Sequence, residues 1–196
     1  MQKHTKSLFY LSIFFGVVFV LKYILYKDIY LVLNHQENKF VFTNFIIFNF
    51  VFASLGYLFK MILIFGVFKL SLYIFDVEEQ SSIFDIVILG ELVKILLIGG
   101  LKIIVFYYLS HDMTLEMFSK FESNYTISGI FNLHLSNNLS TVINSINVFD
   151  IVYIIFVVML FSANFKLTKI KSFKVVGLPY FLLLFIIGFI KIFMTI

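Results

Sequence analysis

The sequence of 196 residues contains no cysteine, no tryptophan and no arginine, and it carries little charge of either sign. Without cysteine the chain can form no disulfide, no cysteine-ligated metal site and no thiol nucleophile. Only 13% of the residues are charged and 61% are hydrophobic, whereas ordinary globular domains are roughly 25% charged. Such a chain must direct most of its surface toward lipid or other apolar helices. We therefore interpret the net charge of +4, carried by lysines, as suited to lipid head groups rather than nucleic acid.

The common catalytic and ligand-binding motifs are also missing from this sequence. It has no HExxH, no glycine-rich phosphate loop, no GxSxG and no cluster of carboxylates. None of the four histidines has a second His, Asp or Glu at helical spacing: His4, His35, His111 and His134. His111 next to Asp112 is the closest approach to an acid–base or metal pair, and a surface loop is the simpler interpretation. We expect no enzyme activity, no metal and no cofactor.

The dominant feature of the sequence is a series of five apolar runs rich in Phe, Ile, Leu and Val. A helix needs roughly 20 residues to cross a bilayer core about 30 Å thick, and each run approaches or exceeds that length. No small-x-small cleavage site follows the first run, so we interpret it as an anchor rather than a signal peptide. We predict an all-α, polytopic transmembrane bundle that forms one integral membrane domain over residues 1–196. Its five spans are predicted at residues 7–26, 44–76, 82–108, 147–165 and 175–196.

The positions of the lysines predict the orientation of this bundle. Lys3 and Lys6 precede the first run. A basic link joins the fourth and fifth runs through Lys166, Lys169, Lys171 and Lys174. Five spans place both groups on one side, so the positive-inside rule predicts a cytoplasmic N-terminus and an external C-terminus. We expect location in a bacterial inner membrane, with Pro179 in the first turn of the last span, where proline is tolerated.

The second and third runs are longer than a simple crossing requires. The 33 residues of 44–76 would extend about 50 Å as a straight helix. A short acidic turn joins this run to 82–108, so we predict a long helical hairpin between spans two and three. Its end, residues 65–92, either tilts within the bilayer or projects into the cytoplasm. The predicted tip carries Asp76, Glu78 and Glu79.

Charged residues inside the runs are the candidate functional residues, because each is costly in a bilayer and is usually paired. Folding the hairpin symmetrically about residue 79 places Lys69 level with Glu91 and Lys60 within one turn of Lys94. Glu91, Lys94 and Lys102 share one side of their helix. We therefore predict an intramembrane charge stripe of Lys60, Lys69, Glu91, Lys94 and Lys102, with Lys69 as the partner of Glu91. Two interpretations stay open, a proton or anion relay and a structural ion pair with snorkelling lysines, and the second is the simpler.

Residues 109–146 form the only sizeable polar stretch, and we predict that they make an outer loop. Leu139, Val142, Ile143 and Ile146 have helical spacing, which is typical of an amphipathic helix. Helices lying on the outer interface and a loop packed over the mouth of the bundle are both compatible with this pattern.

Two local patterns resemble the Yip1 family of five-span membrane proteins. One runs from Leu72-Tyr-Ile-Phe-Asp76 through a polar turn to Ser81-Ser-Ile-Phe84. The other is Ser145-Ile-Asn-Val-Phe-Asp150-Ile-Val-Tyr153, followed by Lys171-Ser-Phe-Lys174. The resemblance covers about residues 44–196, without the family's usual Gly-Gly pair in the turn or its proline in the third span. It implies a non-enzymatic role in binding membrane partners or organising bilayers.

Three functions follow as hypotheses. The first is an integral membrane accessory or scaffold protein that associates with other membrane proteins in a complex. The alternative is a small transporter or permease subunit that uses the intramembrane Lys/Glu stripe. A membrane-embedded enzyme centred on His111 and Asp112 is the third.

Overall fold

The computed structural model describes residues 2–33, 39–78, 83–105, 125–126 and 141–194 of the chain. These residues are almost entirely helical, and the one β-type contact among them is an isolated bridge between Thr126 and Asn147. The prediction of an all-α protein is confirmed. The elements are α1 (Gln2–Leu33), α2 (Lys39–Ile74), α3 (Ile83–Ile104), α4 (Val148–Phe165), α5 (Lys169–Ser172), a π-helical turn (Phe173–Gly177) and α6 (Leu178–Met194).

Four stretches within these helices are long and apolar enough to cross a membrane, which indicates an integral membrane protein. They are Thr5–Leu25, Ile46–Ile74, Val148–Phe165 and Lys169–Phe193. A helix satisfies its own backbone hydrogen bonds, and so it can cross hydrocarbon that offers no water as a partner. The third predicted span does not meet the same standard, because α3 carries Asp85, Glu91 and Lys94 within its 22 residues.

The burial pattern of α3 is the reverse of the pattern on its neighbours. Glu91 and Lys94 are buried while the apolar side chains of Leu96 and Leu97 are exposed. The outer surfaces of α2 and α6 likewise present large apolar side chains, such as Phe59 and Phe193. Charged groups inside and apolar groups outside are what a hydrocarbon surrounding favours.

The contacts of α1 show that it runs parallel to α3. Ser7 near the start of α1 donates a hydrogen bond to Asp85 near the start of α3. Leu21 lies fourteen residues further along α1, and it packs against Gly99, which lies fourteen residues further along α3. The two helices therefore advance together with little change of register.

The helix α2 runs antiparallel to α3, in a register different from the predicted one. The rings of Phe65 and Phe84 lie 5.6 Å apart, and Lys60 pairs with Glu91. From Phe65, α2 continues through Ile74, so it extends about 12 Å beyond the first residue of α3. The symmetric hairpin that we assumed is therefore wrong in register, and Lys69 is not the partner of Glu91.

The projecting end of α2 packs against the C-terminal part of the chain instead of α3. The ring of Phe68 lies 5.7 Å from that of Phe161 on α4. At the end of the helix Asp76 adopts a left-handed conformation with φ 49°. The amide of Val77 then donates to the Leu72 carbonyl at 3.0 Å, as in a Schellman cap. Neighbours on α4 thus determine where this end of α2 lies.

Helices α4 and α6 complete the alternating order. Lys94 of α3 reaches Asp150 of α4, while Gly90, one turn earlier, faces Tyr153 further along α4, so these helices are antiparallel. The link between α4 and α5 is only three residues long, 166–168, and the chain reverses there. The ring of Tyr180 on α6 lies 4.7 Å from that of Tyr153. The five long helical segments therefore alternate in direction.

The last helical segment begins at Lys169, six residues before the predicted start of the fifth span. The basic link is wrong in extent, because Lys169 and Lys171 belong to α5 and Lys174 to the π-helical turn, leaving Lys166 in the link. A Thr168 side-chain cap on the amide of Lys171 starts the helix early.

This earlier start places Pro179 in the interior of the segment rather than in its first turn. Proline has no amide hydrogen, and so it cannot donate to the carbonyl of Val175, four residues before it. The helix widens here, and the amide of Leu178 bonds back to Phe173 as in a π-helical turn. Ser71 of α2 supplies the missing donor, with its hydroxyl 2.5 Å from the Val175 carbonyl. A hydrogen bond between helices thus compensates for the proline.

Only the end of the predicted outer loop, 141–146, and residues 125–126 lie among the described residues. Val142 and Ile146 are buried there. The hydroxyl of Ser145 donates to the Leu184 carbonyl of α6 at 2.9 Å. This part of the stretch packs on the bundle.

Candidate functional site

The candidate site is a set of buried polar side chains where α2, α3, α4 and α6 meet. Lys60 on α2 and Glu91 on α3 form its first ion pair, with 2.8 Å between Nζ and Oε1. The Lys60 ammonium also donates to Oε2 at 2.9 Å. The Glu91 side chain is 1% exposed and that of Lys60 is 34% exposed, so the lysine reaches inward from a partly open position.

Lys94 and Asp150 form the second ion pair, one helical turn along α3 from Glu91. Both side chains are buried, and the ammonium donates to Oδ1 of the carboxylate. The hydroxyl of Tyr180 donates to the same Oδ1 at 2.9 Å. Charged groups removed from water are tolerated when they are paired and hydrogen-bonded, and Asp150 satisfies both conditions.

The sequence at the start of α4 holds Asp150 in place. Asn147 is the N-cap residue, and its side-chain oxygen accepts a hydrogen bond from the Asp150 amide at 2.9 Å. The Asn147 amide donates in turn to Oδ2 of Asp150 at 3.1 Å. This reciprocal pair is a capping box, which fixes the first turn of the helix. One carboxylate oxygen therefore caps α4 while the other one receives Lys94 and Tyr180.

A glycine on α3 allows α4 to approach closely enough for these contacts. A Cβ atom at Gly90 would lie 2.6 Å from the ring of Tyr153 and 2.7 Å from a methyl group of Val157. Tyr153 is fully buried beside Tyr180, and its hydroxyl has no hydrogen-bond partner among the described residues. Small residues at helix contacts are the usual means of close packing in membranes.

The depth of the network is set by the apolar stretches that surround it. Lys60 is the middle residue of the stretch Ile46–Ile74. Tyr180 is one residue from the middle of Lys169–Phe193. If these stretches are centred in the hydrocarbon, the two ion pairs lie near the midplane of the bilayer, where unpaired charge is most costly.

A cavity of about 280 Å³ adjoins the network between α1, α2 and α3, and we call it the lysine cavity. Its polar lining consists of Lys22, Lys60, Glu91, Lys94, Lys102 and Asn147. Its apolar lining includes Leu21, Leu25, Ile95 and Ile98. It extends from the network toward the end of the bundle where α3 ends and α4 begins.

The predicted charge stripe is only partly collected at this site. Lys60, Glu91, Lys94 and Lys102 all line the lysine cavity. Lys69 does not, since its ammonium lies over the ring of Phe65 at 5.9 Å from the centroid. At the predicted hairpin tip, Asp76 and Glu78 are exposed, whereas Glu79 lies outside the described residues, as do His111 and Asp112.

Sequence reasoning missed Asp150, Tyr180 and Lys22. Asp150 is the only ionisable carboxylate in α4 and lies inside a predicted apolar run, so the search for charges within spans could have included it. We noticed Asp150 only as part of a helix entry. Nothing in the sequence marks Tyr180 or Lys22, because their roles depend on helix packing.

The part of the chain that the structure describes brings together no group of three or more His, Asp or Glu side chains able to hold a metal. Comparison with known proteins finds no matching family model, no matching curated protein and no matching solved structure.

Proposed function

We propose that this chain is a non-enzymatic integral membrane accessory protein that associates with other membrane proteins. The observation that carries the proposal is the use made of its intramembrane charges. Lys60–Glu91 joins α2 to α3, and Lys94–Asp150 joins α3 to α4, with Tyr180 adding α6. A relay needs groups that change partners, whereas these groups hold four helices in one arrangement. That is the behaviour of a rigid scaffold.

The proposal includes α3 as a fifth span. Its 22 residues extend about 33 Å, which is enough to cross the hydrocarbon. Its buried charges Glu91 and Lys94 pair with neighbouring helices, and so the low apolar content does not prevent crossing. The alternating order of five helices also supports the resemblance to the Yip1 family, at the level of architecture.

The orientation is part of the same proposal. The start of α1, the connection between α2 and α3, and the link between α4 and α5 lie at one end of the bundle. That end carries Lys6, Lys166, Lys169, Lys171 and Lys174. The positive-inside rule places it in the cytoplasm, in keeping with a bacterial inner membrane and an external C-terminus.

The projecting end of α2 is the proposed contact for a membrane partner. Tyr73 is 84% exposed, next to exposed Ile74, Asp76 and Glu78. The side chains combine an aromatic anchor with acidic groups at the cytoplasmic level. Aromatic side chains often contribute most of the binding energy at protein interfaces.

The test is purification of the tagged chain from its native membrane in a mild detergent, with mass spectrometry of stoichiometric partners and reciprocal tagging of each one. We expect one membrane protein to be retained in both directions. Tyr73→Ala should release it, while the matched variant Phe59→Ala, at an exposed position near the middle of α2, should retain it. A chain that elutes alone, or two variants that behave alike, would contradict the proposed role or its location.

The lysine cavity favours a second candidate function, that of a small transporter or permease subunit. Its lining reaches Lys60 and Glu91 near the middle of the apolar stretches, where a substrate site is expected in a transporter. Flux measured in proteoliposomes would separate the two functions. Loss of flux in Glu91→Gln and Lys94→Met with assembly intact supports transport, and loss of assembly alone supports the scaffold.

A further inference from the structure

The lysine cavity concentrates positive charge inside the bundle. Four ammonium groups line it, from Lys22 on α1, Lys60 on α2, and Lys94 and Lys102 on α3. Glu91 is the only carboxylate among the described lining residues. Asp150 neutralises Lys94 from behind the lining. A cavity with such a lining attracts an anion.

These lysines can bind a ligand without giving up their present partners. Lys22 and Lys102 take part in interactions within the chain, Lys60 is paired with Glu91, and Lys94 is paired with Asp150. An ammonium has three donors, and one carboxylate does not occupy them all. Donors from three different helices can therefore converge on one acceptor group. A tetrahedral phosphate, with several oxygens, matches donors that converge from several directions.

The remaining lining restricts the size and nature of the ligand. About 280 Å³ lies at the lower limit of small-molecule sites, which suits one head group better than a large solute. Leu21 and Ile98 supply apolar walls beside the ammonium groups. An anionic group attached to an apolar body would contact both kinds of surface. Basic pockets between transmembrane helices commonly receive phospholipid head groups.

We propose that the lysine cavity is a binding site for a phosphate group, either that of an anionic phospholipid or free phosphate. The phosphate lies between Lys22, Lys60 and Lys102, and the carboxylate of Glu91 keeps Lys60 directed toward the cavity. This site requires no protein partner, and it stands or falls independently of the proposed scaffold role.

The lipid arm of the test uses the full-length chain, freed of lipid in a neutral detergent. It is incubated with equal amounts of phosphatidylglycerol and phosphatidylcholine, and native mass spectrometry counts the lipids retained. We expect preferential retention of phosphatidylglycerol. The double variant Lys22→Gln, Lys102→Gln should weaken retention roughly tenfold or more, because hydrogen bonds to charged groups are lost. The matched double variant Lys69→Gln, Lys171→Gln removes two lysines outside the cavity and should remain within about twofold.

The free-phosphate arm compares thermal unfolding of the lipid-free chain in sodium phosphate and in sodium chloride of equal ionic strength. A ligand that binds only the folded state raises the midpoint, by several degrees when it is well above its dissociation constant. A rise in phosphate without lipid preference identifies free phosphate as the source. Lipid preference without the rise identifies the phospholipid.

A variant that keeps every charge protects the test from misfolding. Ile98→Trp fills the cavity while it leaves the four lysines and both ion pairs in place, and it should also abolish retention. The proposal is overturned if the wild type shows neither lipid preference nor a phosphate shift. It is equally overturned if the lysine double variant, or Ile98→Trp in case that variant does not fold, binds as well as the wild type.

Discussion

Asp150→Asn tests whether the buried ion pair with Lys94 holds the bundle together. Asparagine has nearly the same shape, and it keeps an oxygen for the Asn147 amide, so the cap of α4 survives. It has no charge, and the Lys94 ammonium, whose side chain is 9% exposed, is left without its counter-ion. Tyr180 also loses an ionised acceptor. The substitution therefore isolates the electrostatic contribution from the packing.

Removing one partner of a buried ion pair costs about 3–5 kcal/mol, because the other charge remains buried. Lys94 borders the lysine cavity, where polar groups lie near it, so we expect the lower end, about 3 kcal/mol, roughly a 150-fold change in the unfolding equilibrium. The double variant Asp150→Asn, Lys94→Met removes both charges and should recover most of that loss. The coupling energy of the cycle should be about 2 kcal/mol.

The assay is reversible unfolding in mixed micelles with increasing sodium dodecyl sulfate, followed by the helical signal. Asp76→Asn is the matched control, because it makes the same change at an exposed residue in a left-handed conformation that asparagine also accepts. It should change the free energy of unfolding by less than about 0.5 kcal/mol. Effects at Asp150 and Lys94 that add to within about 0.5 kcal/mol would refute the reasoning.

Two further predictions concern packing between helices, and the same unfolding assay measures both. Gly90→Ala should cost about 1–3 kcal/mol, because its methyl group meets Tyr153 at 2.6 Å, whereas Gly100→Ala, with no atom within 4 Å, should be neutral or stabilising; equal effects would contradict the close approach of α3 and α4. Ser71→Ala should cost about 1–3 kcal/mol, because the carbonyl freed by proline loses its donor, whereas Ser172→Ala removes a buried hydroxyl with no partner among the described residues and should cost little, so a loss at Ser172 as large as that at Ser71 would contradict the argument.

Much of the helical structure could be predicted from the sequence, because a span is a local property. Four of the five predicted runs correspond to apolar helical stretches, and the helix bounds differ by a few residues. The largest error was at the fifth run, which begins at Lys169 rather than at residue 175. Lysines had been interpreted as link residues because they are charged. In the structure they are exposed on the first turns of a helix.

The site was predicted less completely, because pairing across helices depends on register. Glu91 was recognised as costly and in need of a cation, but Lys69 was chosen over Lys60 on the assumption of a symmetric hairpin. The end of α2 instead packs against α4, with Phe68 on Phe161, which moves α2 along α3. No sequence period contains that shift.

The sequence by itself determined an all-helical, membrane-embedded chain with charges that need partners, because hydrophobicity and the cost of buried charge are properties of the residues themselves. Only the tertiary structure decided that Glu91 pairs with Lys60, that Lys94 pairs with Asp150 and that Ser71 compensates for Pro179. These partners lie on different helices, often far apart in the chain. Which of them meet is decided by the close contacts at small residues such as Gly90, and those contacts exist only once the helices have packed.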